Sequence, residues 1–75
     1  MFDSVPHNHK FIAEAKTPDD LNQRVWRLAF SLGICIDSHE DYFSQAAHCR
    51  RIGATEMACY LETAARCSMR LGRIL

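Results

Sequence analysis

Arg50-Arg51-Ile52-Gly53-Ala54-Thr55-Glu56-Met57 is the stretch whose reading decides the fold of this 75-residue chain. Small-residue-rich helical segments lie on both sides of it. If Gly53 ends one helix and Thr55 opens the next, the region is two helices joined by a turn. If Gly53 is tolerated inside a helix, at a cost of about 1 kcal/mol, one helix runs from about residue 39 to 72. Phe43, Ala47, Arg50, Ala54, Met57, Leu61, Ala64, Ser68 and Leu71 keep one helical phase across the glycine, which favours continuity. The reading adopted is a break or kink at Gly53.

Downstream, Thr55 to Leu71 reads as a helix with Met57, Leu61, Ala64 and Leu71 as its core stripe. Upstream, Asp37-Ser38-His39-Glu40-Asp41 reads as a helix start, with Ser38 as cap and Asp41 in the capping-box position. Tyr42, Phe43, Ala46, Ala47 and Cys49 then supply an apolar face. Bulk is scarce throughout: Ala46, Ala47, Cys49, Gly53, Ala54, Ala58, Cys59, Ala64, Ala65, Cys67 and Ser68 are all small. Small faces allow close helix approach and self-association.

The first long helix starts at Thr17-Pro18-Asp19-Asp20. Thr17 caps, Pro18 suits the first helical position, and the aspartates favour the positive end of the helix dipole. Leu21, Val25, Leu28 and Leu32 fall on one face. Trp26, Ala29 and Phe30 widen it beyond what one partner helix covers, which points to a second packing surface. Gly33 stops the helix, and Ile34-Cys35-Ile36 reads as a buried connection. Before it, residues 1–16 read as a tail or short helix whose Phe11, Ile12 and Ala15 dock on the body or on a neighbouring subunit. His7-Asn8-His9 reads as solvated tail. The expected organisation is therefore an N-terminal segment, 1–16, and one helical domain, 17–75. The fold class is all-α, with an antiparallel helical hairpin or three-helix arrangement assembled as a homo-oligomer.

Composition bounds the function. The apolar fraction is 48% and the net charge is zero, so bulk electrostatics favours neither nucleic acid nor membrane, and no direct DNA binding is expected. The N-terminal half, 1–41, carries −3 and the remainder +3. No apolar run approaches the ~18 residues a membrane span needs, and the N-terminus lacks the basic and apolar regions of a signal peptide. A cytoplasmic address is expected. Cys35, Cys49, Cys59 and Cys67 form no C-x-x-C pair. They suit buried free thiols better than a metal site, and no metal or cofactor is expected. No nucleophile–base set, Walker loop or paired-carboxylate motif is present, so the chain reads as a non-enzyme.

Two candidate surfaces remain. Arg50 and Arg51, beside Gly53 and Thr55, can grip an anion through guanidinium and backbone N–H donors, more so if a helix begins near Thr55. Arg66, Arg70 and Arg73 form a stripe that the helix dipole favours in any case. Trp26 and Phe30, with Phe11 and Ile12, form a candidate protein interface.

His9-Lys10-Phe11-Ile12-Ala13, Leu32-Gly33 and Ile52-Gly53-Ala54-Thr55-Glu56-Met57 together resemble the small phage proteins that sequester cyclic oligonucleotide immune signals. The resemblance touches about half of the chain. It implies a helical hairpin with a short N-terminal helix, a homo-hexamer, binding of cyclic di- and trinucleotides at subunit interfaces, and residence in the host cytoplasm. Where those relatives carry a base-stacking tyrosine this chain has Ala15, and where they carry a phosphate-facing lysine it has Phe30. Arg51 to Thr55 matches the relatives' second helix start. Tyr42-Phe43-Ser44-Gln45-Ala46-Ala47 is similar to Hha-type nucleoid modulators, which are small helical partners of a DNA-binding protein. The two functional expectations are a nucleotide sponge and a protein–protein inhibitor or adaptor that acts on a host protein.

Overall fold

The structure is a computed structural model that describes residues 4–36 and 41–73, and the side chains of 7–36 and 41–72. It is all-helical: α1 (Ser4–Ala13), α2 (Pro18–Ser31), α3 (Tyr42–Arg51) and α4 (Thr55–Arg73). α4 is the helix that α1, α2 and α3 all pack against. Its sequence explains why. Met57, Ala58, Tyr60, Leu61, Ala64, Ala65, Cys67 and Leu71 are all buried, an apolar arc wide enough for three neighbours.

α2 forms as its start and stop signals dictate. Thr17 has extended backbone, and its hydroxyl accepts from the Asp20 N–H at 3.0 Å. Gly33 has φ +71 and the Ile34 N–H reaches back to the Ala29 carbonyl at 2.9 Å. This is a six-to-one closure that satisfies a carbonyl the helix end would otherwise orphan. Leu21, Val25, Leu28 and Ala29 turn inward, while Leu32 remains 38% exposed at the C-cap.

Gly53 breaks the helix. α3 ends at Arg51, Gly53 takes φ +85, and the Ala54 N–H closes on the Cys49 carbonyl at 2.7 Å. The closure is the same as at Gly33, and α4 begins two residues later. The continuous phase from Phe43 to Leu71 was therefore misleading. The buried residues of α3 are Gln45, Ala46 and Cys49, whereas Phe43 is 55% exposed and Ala47 is exposed. A phase carried across Gly53 loses its meaning once the backbone leaves the helix there. A Cβ at Gly53 would meet nothing within 4 Å, so the penalty of Gly53→Ala is purely one of backbone conformation. The expected loss is about 1–2 kcal/mol, or roughly 4–8 °C in melting temperature per kcal/mol for a domain this small. Gly53→Asn, which tolerates left-handed backbone, should recover part of it. An unchanged melting temperature in Gly53→Ala would contradict the turn.

Asp41, expected inside the helix, is instead the N-cap of α3, its carboxylate accepting from the Ser44 N–H at 2.7 Å. Ser38, the expected cap, lies outside the described residues. α3 presents Ala46 and Cys49 to α4, and small side chains there permit close approach. It also reaches α2, where the Tyr42 hydroxyl donates to Asn22 Oδ1 at 3.4 Å. Ile34 and Ile36 lean on the core while Cys35 is exposed. The connection is thus buried on alternate residues only. Of the other cysteines, Cys49 and Cys67 are buried and Cys59 is half-buried.

The N-terminal segment forms a short helix docked on the body, one of its two expected places. α1 is part of the body, with Ile12 and Ala15 in the core. Ile12 is 0% exposed, so of its two expected docking places, body or neighbouring subunit, it occupies the first and is not available as outer interface. The Cα radius of gyration, 11.5 Å, is close to the ~11 Å of a compact chain of this length.

Candidate functional site

At the turn between α3 and α4 the structure brings Arg50, Arg51, Gly53 and Thr55 together in sequence order, all exposed. The two arginines are not equivalent. Arg50 Nη2 donates to Glu62 Oε1 at 2.7 Å, one turn and more into α4. Arg50 holds the Glu62 carboxyl below its ordinary value. The pair's contribution is therefore present above the usual glutamate range and lost as pH falls through the lowered folded value. Both partners are exposed, so solvent and salt screen that contribution. Arg51 has no acidic partner among the described residues. Ala54 stands at the N-cap of α4, its carbonyl accepting from the Ala58 N–H at 3.1 Å. Its methyl side chain offers no acceptor to the first-turn amides, so that positive helix end has no side-chain cap from position 54.

The second candidate surface is the outer face of α2. Phe30 is 87% exposed and Trp26, one turn earlier, 42%. Phe11, grouped with them from sequence, is half-buried at the α1–α2 boundary, where the Arg24 guanidinium lies 4.7 Å from its ring centroid. Ile12, fully buried, is therefore no part of an outer surface with Trp26 and Phe30.

Sequence reasoning missed the polar seam that fastens α1 to α4. Asn8 Nδ2 donates to the Tyr60 hydroxyl at 3.0 Å, and that hydroxyl donates to Glu56 Oε2 at 2.6 Å. The Tyr60 ring is fully buried and meets the His9 ring edge-on at 5.0 Å. His9 Nδ1 lies 2.7 Å from Thr63 Oγ1, which in turn donates to the Cys59 carbonyl. Burial pushes the Tyr60 phenol up, the Glu56 hydrogen bond adds to this, and Asn8 acts against it. The phenol stays a donor. His7-Asn8-His9 is thus not a solvated tail: His7 is exposed, but Asn8 and His9 are half-buried structural partners. No local signal marks them, because their partners lie more than fifty residues away.

The C-terminal end of α1 is closed by donors from other helices. Arg24 Nη1 reaches the Phe11 carbonyl at 2.7 Å, Cys67 Sγ the Ile12 carbonyl at 3.8 Å, and Arg70 Nη2 the Ala13 carbonyl at 2.9 Å. Part of the C-terminal arginine stripe therefore has a structural role, since cations at a helix C-terminus satisfy its orphan carbonyls.

Among the described residues no cluster of three or more His, Cys, Asp or Glu is placed to hold a metal ion. No described helix is long and apolar enough to cross a membrane. Comparison with known proteins found no matching family model, no matching curated protein and no matching solved structure.

Proposed function

We propose that this chain is a non-enzymatic helical binding protein that works by protein–protein contact at the outer face of α2, as an inhibitor or adaptor. The observation that carries this reading is the exposure of Phe30, 87%, beside Trp26 at 42%. Burying a large apolar side chain is worth about 1.5–3 kcal/mol, and the fold of the single chain forgoes most of that at Phe30. Exposed aromatic anchors on a rigid helix are what a protein interface uses. A second copy of the chain, giving a homo-oligomer, and a host protein are the two candidates for this face. Phe30→Ser is expected to leave the melting temperature within about 4 °C, because surface changes rarely exceed ±0.5 kcal/mol. It should also abolish self-association in sedimentation, or capture of the host partner. If Phe30→Ser and the native chain assemble and capture alike, this reading is wrong.

A second reading is the homo-oligomeric sponge for cyclic di- or trinucleotides, which the Arg51–Gly53–Thr55 turn and the resemblance favour. Arg51 and the first-turn amides of α4 are donors without a protein acceptor among the described residues, and phosphate suits both. Arg51→Ala should weaken binding about tenfold or more, as expected of a charge-assisted hydrogen bond. Glu62→Gln should strengthen binding, because it releases Arg50 and removes a nearby negative charge. Calorimetric titration with a cyclic nucleotide panel measures both. No heat from any nucleotide, or the same affinity in all three chains, excludes the turn as the site.

A further inference from the structure

A groove of about 460 Å³ runs between α1 and α2, lined by His7, Asn8, Phe11, Arg27, Leu28 and Ser31. Its volume falls within the range of small-molecule sites, roughly 300–1,000 Å³. Phe11, half-buried, and Leu28, buried, are its apolar side chains, and His7, Arg27 and Ser31 are exposed. Among the described residues no carboxylate lines it. Asp20 borders an adjoining polar recess with Arg24 and Arg27. Asp20 is already engaged, accepting from Arg24 Nε at 3.1 Å and from the Lys16 N–H at 3.3 Å. Arg24 is engaged in turn with Asp20, the Phe11 carbonyl and the Phe11 ring. That leaves Arg27 as the lining cation with no acidic partner among the described residues.

We propose that this groove binds a small aryl anion, a one- or two-ring aromatic body carrying a single sulfonate or carboxylate. The ring lies on Phe11 and Leu28, and the anionic group pairs with Arg27, with the Ser31 hydroxyl and the His7 imidazole as further polar neighbours. The charge argues for the anion: a guanidinium with no acidic partner among the described residues gains a charge-assisted bond to one. The Phe11 ring, backed by Arg24, argues for an aromatic body, since offset or edge contact between rings adds to simple burial. This inference is independent of the role given above to Trp26 and Phe30.

The test uses the full chain and two dyes with related ring frameworks, anionic 1-anilinonaphthalene-8-sulfonate and neutral N-phenyl-1-naphthylamine. Binding is read from the dye's own emission on direct excitation, which an added tryptophan does not disturb. The expected result is saturable one-to-one binding of the anionic dye, weakened about tenfold in Arg27→Gln, while neutral-dye binding changes by less than about twofold. Ser31→Trp, an exposed position at the end of α2, should fill the groove and abolish anionic-dye binding. Circular dichroism checks that both variants keep their helices. Equal loss of both dyes in Arg27→Gln, or no loss of either, would overturn the anion assignment and leave an apolar patch. Undiminished anionic-dye binding in Ser31→Trp would place the dye elsewhere, and no binding by the native chain would mean that the groove is covered by a second copy or too shallow. Each of these overturns the proposal.

Discussion

Leu61→Ala is expected to unfold a large part of the population at room temperature. Leu61 is 0% exposed and sits in α4, the helix against which every other helix packs. Truncation removes transfer free energy and leaves a cavity that rigid neighbours on three sides fill poorly, a loss of about 2–5 kcal/mol. A single hydrophobic core in a chain this short rarely supplies more than about 3–5 kcal/mol. The mutation therefore approaches the whole stability of the monomer. Urea unfolding followed at 222 nm measures it, and with a slope near 1 kcal/mol/M for so small a chain, the midpoint should fall by about 2 M or more. A shift below about 0.5 M would mean that α4 is not the packing centre.

Ile12→Ala is expected to loosen α1 from the body, again at about 2–5 kcal/mol. Its effect should be local first. α1 is held by Ile12 in the core, with Ala15 just beyond its end, by the half-buried Phe11, and by hydrogen bonds that need the helix in register: Asn8 to Tyr60, His9 with Thr63, and Arg70 to the Ala13 carbonyl. With the Ile12 side chain removed, these bonds must hold α1 largely alone, and each is worth only about 0.5–1.5 kcal/mol net. Amide hydrogen exchange should therefore rise across residues 8–13 before it rises in α2 to α4. Thiol labelling gives an independent readout. Exposed Cys35 should react in both proteins, whereas Cys67, 5% exposed and set against the Ile12 carbonyl, should become reactive only in the variant. Uniform loss of protection over the whole chain would show that α1 and the body unfold as one unit.

The nucleotide and protein-contact readings separate on the same side chains. Arg51 is exposed at the end of α3, and Phe30 is exposed near the end of α2. Neither contributes to the core, so substituting either tests function with little effect on fold.

The elements with local signals were legible from the chain itself. Thr17-Pro18-Asp19-Asp20 and Gly33 bracket α2 because a hydroxyl three residues from an amide, and a residue free to take positive φ, act within one helical turn. Gly53 carried the same stop signal, and only the competing apolar phase obscured it. The exposure of Trp26 and Phe30 was also readable, since a stripe wider than one partner helix leaves some of itself uncovered. What the tertiary structure alone decided was which side of each segment found a partner. The inward rotation of α3 onto Ala46 and Cys49, the burial of Ile12, the seam from Asn8 to Tyr60, and the diversion of Arg50 to Glu62 and of Arg70 to Ala13 all depend on residues at least twelve positions away. A cap is a contact within one turn and is written in adjacent residues. A packed face or a long-range hydrogen bond exists only once α4 has brought its three neighbours together, so its energy depends on geometry that no local pattern contains.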